Sequence, residues 1–285
     1  MILVFIGTPQ FAVPSLQSLA EAGHDIATVI TQPDRPAGRG RALRPPPVKQ
    51  AALALGLPVL QPPTLRDPEV LERLRALAPE AIVAVAYGQL LRPELLEVPP
   101  KGVLNVHPSL LPRWRGASPI AGAILGGDEE TGVTIMLMDA GMDTGPILSQ
   151  RRHPVSSHDT TGSLTEALAT IGADLLADTL PRWLAGDIEA QPQDDSLATV
   201  TSLVRKEDGA LDWTLPAHRL WLRVRAYNPW PGAPHGRSTP RATSRFLEIL
   251  ADSGLTASLR RSRGDDVLAA CGQLANQSPV AASSA

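Results

Sequence analysis

Residues 1–31, MILVFIGTPQFAVPSLQSLAEAGHDIATVIT, decide the fold. The run ILVFI is short, apolar and uninterrupted, which is how a strand covered on both faces reads. Gly7 supplies the turn after it, residues 13–22 carry a helical pattern, and IATVIT is the next strand. A strand–helix–strand opening implies two parallel strands joined by a right-handed crossover. Gly7 lacks the companion glycines of a dinucleotide-binding turn, so no nicotinamide site is assigned.

Outward from that opening the alternation continues. Residues 47–55 and 68–77 read as helices, PVLQ as a short strand, and AIVAVAYG, GVLNV and residues 133–138 as strands. Ser118 and Pro119 make a helix start, a capping side chain with proline in the first turn. Residues 159–180 form a longer helix that closes the domain. The pattern is α/β: a doubly wound, Rossmann-like, mostly parallel sheet over residues 1–186. Residues 187–203 are polar, carry Pro192 and lack an apolar period, so they read as a linker. Sites in such sheets gather outside the carboxyl ends of strands. Three ends converge in this reading, at residues 87–90, 105–112 and 138–145.

Composition narrows the function. A chain of 285 residues holds one large or two moderate domains, and its net charge of −3 gives no global attraction to nucleic acid. A single cysteine, Cys271, excludes an intrachain disulfide and a cysteine metal cluster. ILVFI is too short for a signal core, and no apolar run is long enough to span a membrane. A cytoplasmic protein that uses no metal fits these features.

The chemistry lies in NVHPSLLPRWRG, residues 105–116, and DAGMDTG, residues 139–145. Strand alternation places Val103, Asn105 and His107 on one face and sends Leu104 and Val106 into packing on the other. Taken alone, an Asn-x-His pair is more often a satisfied turn than a catalytic pair. Pro108 and Pro112 fix the backbone around Ser109, Leu110 and Leu111 and disfavour helix there. That segment is either an ordinary connection or a shelf for a flat apolar ligand, and the residues leave the two readings balanced. Asp139 and Asp143 sit among Gly141 and Gly145 and could simply make turn hydrogen bonds. A carboxylate from Asp143 beside His107 would hold the ring, fix its tautomer and favour its protonated form.

The ordered motifs N-x-H-x-S-L-L-P, R-W-R-G-A-x-P-I and D-x-G-x-D-T-G closely resemble the folate-dependent formyltransferases, from Met1 to about Ala233. Within that family the chain is similar to the members that act on methionyl initiator tRNA. The resemblance implies transfer of a formyl group from 10-formyltetrahydrofolate to the methionyl α-amine, with Asn105, His107 and Asp143 as the catalytic trio. It implies folate contacts from Ser109, Leu110, Leu111 and Pro112, and around the pteridine from Tyr87, Gly88, Gln89, Leu90 and Asp139. The segment QPDRPAGRGRALRPPPVK, residues 32–49, is too rich in proline and glycine for regular structure. By itself it reads as a solvated loop; by resemblance it is an arm reaching the tRNA acceptor stem through Arg35, Arg39, Arg41 and Arg44. Relatives that formylate an amino sugar or a purine precursor, and a catalytically impaired RNA-binding homologue, are the alternatives. A monomer is expected.

Residues 204–233 carry the same family's K-x-x-G-x-x-D-W and R-A-x-N-P-W-P-G-A patterns. Arg219, Arg223 and Arg225 among Leu220, Leu222, Val224 and Tyr227 suggest a helix with an apolar side and a basic side. The basic side is either solvated or an RNA contact. The resemblance implies that this region leads into a small OB-type β-barrel within a tRNA-binding part, residues 204–285. After about residue 233 the sequence departs: PHGRSTPRATSR, RRSRG and ANQSPVAASSA read as polar or disordered, and only FLEIL and DDVLAAC as strands. The barrel is expected to be incomplete or replaced.

Overall fold

The computed structural model describes residues 1–37, 42–233 and 240–252. In chain order the elements are β1 (Ile2–Gly7), α1 (Val13–Glu21), β2 (Asp25–Ile30), β3 (Arg35–Ala37), β4 (Ala42–Arg44), α2 (Pro47–Ala54), β5 (Val59–Leu60), α3 (Pro68–Leu77) and β6 (Ala81–Val85). There follow α4 (Pro93–Leu96), β7 (Val103–His107), β8 (Arg115–Gly116), α5 (Pro119–Gly126), β9 (Glu130–Leu137), β10 (Ile147–Pro154), α6 (Thr161–Ala185), β11 (Val200–Thr201), α7 (Ala217–Ala226) and α8 (Pro240–Asp252).

A seven-stranded sheet in the order β10-β9-β7-β6-β1-β2-β5 forms the centre. The strands from β7 to β5 are parallel, as the opening repeat demands. Central strands read as continuous apolar runs because both faces are covered. Phe5, Val83, Leu104 and Leu176 belong to one core, and Val4, Ile82, Leu74 and Val103 to the other.

Several expectations are corrected. β9 runs antiparallel to β7, so its carboxyl end leaves the sheet beside Val103 rather than beside His107. The three strand ends therefore do not share one edge; the loop after β9 must come back along β7 to reach the histidine. β10, antiparallel to β9 at the sheet's edge, is invisible in the sequence because its run LSQRRH is polar. The supposedly irregular basic arm contains a hairpin, β3 with β4, in which Pro36 faces Leu43. A two-stranded ribbon tolerates proline because only half its N–H groups are needed in the ladder. The closing helix runs on to Ala185 and stops where Gly186 turns left-handed at φ 84°.

The linker is no free tether: β11 pairs in parallel with β8, and Gln191 bridges to Ile147. FLEIL lies within α8, not in a strand, its apolar residues recurring at helical spacing. The helix takes up the last residues of PHGRSTPRATSR as well; Phe246 meets Trp213 edge-on with ring centroids 5.0 Å apart. DDVLAAC, RRSRG and ANQSPVAASSA lie outside the described residues, so the expected barrel strands are not described. Among the described residues no helix is long and apolar enough to cross a membrane.

Candidate active site

β7 delivers Asn105 and His107 to one face of the sheet, as alternation requires, while Leu104 and Val106 are buried on the other. Asn105 is half-buried, and among the described residues its amide has no protein partner. His107 is buried, with Nε2 3.0 Å from the carbonyl oxygen of Trp114. A carbonyl only accepts, so Nε2 carries the hydrogen and the neutral ring keeps its lone pair on Nδ1. Nδ1 faces Asp143 Oδ1 at 3.7 Å, too far for a direct hydrogen bond.

The charge state differs from the sequence expectation. Burial pulls the His107 pKa below the ordinary imidazole value, and this outweighs the upward pull of the Asp143 carboxylate and of the hydrogen bond to Trp114. The ring is neutral at neutral pH, a proton acceptor rather than a charged donor.

Asp143 reaches the ring from a left-handed backbone conformation, φ 56°. Its Oδ2 accepts the Gly116 N–H at 2.8 Å and its main-chain oxygen accepts from Gln193 Nε2 at 2.8 Å. Trp114 is also left-handed, φ 60°. Such conformations cost about 1–2 kcal/mol in a non-glycine residue, so the surrounding contacts must hold them. For Trp114 these are Thr199 Oγ1 on its N–H at 2.8 Å and Asp128 Oδ2 on its indole N–H at 2.6 Å. Gly116, at φ 101°, lies where a side chain would collide with the Thr201 carbonyl.

The SLLP loop is internally satisfied. Ser109 is fully buried, and its hydroxyl donates to the Arg113 carbonyl at 2.6 Å. Thr134, opposite His107 on β9, donates to the Ser109 carbonyl at 2.7 Å and accepts the Leu111 N–H at 3.1 Å. Gln150 on β10 closes the group with hydrogen bonds to Leu111 O and Thr134 Oγ1. Leu111 is buried, which leaves the half-buried Leu110 and Pro112 as the apolar surface of the loop.

After β6 the chain turns at Ala86, φ 47°, and Gly88, φ 83°. Tyr87 is buried there with no partner for its hydroxyl, and burial raises its pKa. Gln89 and the exposed Leu90 line, with Pro63, Thr64 and Arg66, a cavity of about 300 Å³. Asp139 is exposed and accepts from Gly141 N–H and Thr144 Oγ1, the turn role that its neighbours suggest. Arg35 and Arg44 face each other, exposed, on the hairpin arm; Arg39 and Arg41 lie outside the described residues.

Two of the three α7 arginines are engaged within the protein, and the third, Arg219, is exposed. Arg225 is buried and donates to the carbonyls of Asp159 and Ser156, both at 2.6 Å, and Arg223 donates to the Asp208 carbonyl at 2.8 Å. Sequence reasoning passed over Thr134, Arg115, Gln193 and Thr199. Thr134 had a signal, a hydroxyl inside an apolar strand; Gln193 and Thr199 had none, standing in an apparent linker.

Residues 1–180 match the formyl transferase family and residues 203–238 match its C-terminal domain, so this sheet and its loops are those of a formyl transferase. Among solved structures, the N-formyltransferase of Helicobacter canadensis, crystallised with folinic acid and dTDP-3-aminofucose, superposes with a TM-score of 0.63. It is 21% identical, over 79% of this chain and 80% of that one, and supports the fold alone. Phosphoribosylglycinamide formyltransferase of Bacillus halodurans is 28% identical over 66% of this chain and 97% of that one, with a TM-score of 0.55. The methionyl-tRNA formyltransferase of Chloroflexus aggregans is 58% identical over 233 residues, 82% of this chain and 75% of the relative. That of a Roseiflexus species is 57% identical over 81% of this chain and 71% of the relative. The chain belongs to the methionyl-tRNA formyltransferase family.

Proposed function

We propose that the protein transfers the formyl group of 10-formyltetrahydrofolate to the α-amino group of methionyl initiator tRNA. The observation that carries the reading is Asn105 beside His107 on β7: an unengaged amide donor next to a neutral imidazole whose Nδ1, 3.7 Å from the Asp143 carboxylate, makes no hydrogen bond among the described residues. The co-substrate supplies an electrophilic formyl carbon. The Asn105 amide donates to the oxygen that becomes negative when the amine attacks, an interaction of about 3 kcal/mol for a well-placed donor. His107 Nδ1 takes the proton that the attacking nitrogen sheds, and Asp143 stabilises the resulting imidazolium. As the bond from the formyl carbon to the folate nitrogen breaks, that nitrogen takes the proton from His107, which leaves a neutral formamide, a neutral folate amine and a neutral imidazole.

The orphaned Tyr87 hydroxyl and the apolar Leu110 and Pro112 fit a flat heterocycle with polar edges. Ser109 and Leu111 act by holding that loop, Gly88, Gln89 and Leu90 by closing the opposite side, and Asp139 by shaping the turn that carries Asp143. We place the catalytic unit at residues 1–186 and tRNA binding in residues 204–285, with an OB-type barrel incomplete or replaced after about residue 233. The hairpin arm, through Arg35, Arg39, Arg41 and Arg44, meets the acceptor-stem phosphates. The protein works as a cytoplasmic monomer.

Single-turnover transfer to methionyl initiator tRNA, against free methionine and an elongator methionyl-tRNA, tests this. Selective formylation of the initiator is the expected result. Equal formylation of all three, or transfer to none, refutes the acceptor.

A further inference from the structure

Residues 191–201 cross the two loops that carry the catalytic groups and bond to both. Gln193 Nε2 donates to the main-chain oxygens of Asp143 and Gly145, at 2.8 and 2.7 Å. Its Oε1 accepts from Nε and Nη2 of Arg115, at 3.0 and 2.8 Å. Arg115 is buried, and its Nη2 also pairs with the exposed Asp195 at 2.7 Å. Further along, Thr199 accepts the Trp114 N–H on its hydroxyl and the Arg115 N–H on its carbonyl, both at 2.8 Å. The Thr201 hydroxyl donates to the Arg115 carbonyl at 3.0 Å.

We propose that residues 191–201 are a strap across the active site and that Gln193 is a positioning residue acting through Asp143. The inference rests on the catalytic reading of Asp143 given above. Two facts give Gln193 this role. Asp143 holds a left-handed backbone, and its carbonyl and that of Gly145 converge on one amide. The same side chain grips Arg115, whose neighbour Gly116 donates to the Asp143 carboxylate. One amide therefore fixes the distance between the loop bearing Asp143 and the segment whose Trp114 carbonyl orients His107. An amide alone has a donor for the two carbonyls and an acceptor for the guanidinium; glutamate would turn an oxygen on those carbonyls.

The test is a double-mutant cycle in single-turnover formyl transfer, with Gln193→Ala, Gln193→Glu, Asp143→Asn and both combinations, each checked by thermal melting. Displacing a reacting group by about 1 Å costs on the order of 100-fold. Gln193→Ala and Gln193→Glu are expected to lower kcat 10- to 100-fold, with the KM for 10-formyltetrahydrofolate changed less than about threefold. In the Asp143→Asn background either change should cost less than about twofold, because the group it positions is already disabled. Gln193→Glu keeps the Arg115 contact, so it carries the test if Gln193→Ala melts early. Equal losses with and without the Asp143 carboxylate, or a loss confined to KM, overturn the strap. Wild-type protein that transfers nothing overturns the functional reading instead, and Asp143→Asn as active as wild type overturns the role of Asp143.

Discussion

Replacing Thr134 by valine keeps the shape of the side chain and removes one oxygen. That oxygen serves three partners: it donates to the Ser109 carbonyl at 2.7 Å and accepts from Leu111 N–H at 3.1 Å and Gln150 Nε2 at 2.9 Å. Gln150 keeps its bond to the Leu111 carbonyl, so the change strands two backbone groups, the Ser109 C=O and the Leu111 N–H. Thr134 and Ser109 are fully sealed and Leu111 nearly so, at 3% exposure, which leaves little room for water to replace the bonds. An unsatisfied buried group costs about 1–3 kcal/mol, so the pair amounts to about 2–6 kcal/mol. At about 2–4 °C per kcal/mol for a domain of this size, Thr134→Val should melt roughly 4–24 °C lower. Relaxation of the loop should also weaken 10-formyltetrahydrofolate binding. Thr134→Ser, which keeps the oxygen, should lose about 1 kcal/mol. Urea and thermal unfolding with folate titration decide it. Thr134→Val within about 0.5 kcal/mol of wild type, or Thr134→Ser equally damaged, would refute the assignment of Thr134 as the hub of this loop.

Asn105→Ala should lower kcat about 100- to 1000-fold in single-turnover transfer, with tRNA binding by filter assay unchanged. The acid limb of kcat/KM should lie below the ordinary imidazole range, because burial depresses His107; Asp143→Asn removes the carboxylate's upward pull and should move the limb further to acid. The same depression means that the unfolded chain takes up the proton first. This contribution of His107 to stability should be lost as pH falls from about 6.5 to the lower folded-state value, which equilibrium unfolding across that window measures. Arg44→Ala should weaken binding of methionyl initiator tRNA and cut the log–log salt slope by about 0.7–0.9, read from titrations at several salt concentrations. Arg225→Leu strands the carbonyl of Asp159, while that of Ser156 keeps the Asp159 N–H; it should cost about 1–3 kcal/mol in urea unfolding while folate affinity stays at the wild-type level.

The sheet was legible because both faces are covered: a strand such as AIVAV, buried at every position, has no polar interruption to confuse its period. β10 escaped because an edge strand needs only one apolar side, and its exposed residues include Arg152 and Pro154. α8 was misread because five apolar-rich residues fit a strand or a helix turn equally well. Of the proposed catalytic trio, the shared face of Asn105 and His107 followed from alternation. The position of Asp143 did not, since β9 carries its loop to the wrong edge and only the loop's return brings the carboxylate within 3.7 Å of the ring. The His107 charge state was missed for a related reason. Sequence supplies the neighbouring carboxylate but not the burial that outweighs it.

The hydrogen bonds that set the proposed trio come from residues 107–201: Trp114 on His107, Gly116 and Gln193 on Asp143, Thr199 on Trp114. The C-terminal region attaches at two places: α7 packs on α5, with the Val204 N–H donating to Ser118 Oγ at 3.2 Å, and a second set of contacts lies at the start of α6. Arg225 grips the turn before α6, and the carbonyls of Ala226 and Asn228 accept from Thr161 and Gly162 at the start of that helix. The hydrogen bonds on His107, Trp114 and Asp143 are nonetheless distinct from those that hold the C-terminal region. Changes beyond residue 233 should act on capture of the tRNA, a bimolecular step, and leave the bound-state transfer step to the strap and the two loops. A tail substitution that slowed transfer at saturating tRNA would require a path into residues 105–145, and among the described residues the packing of α7 on α5 is the direct one.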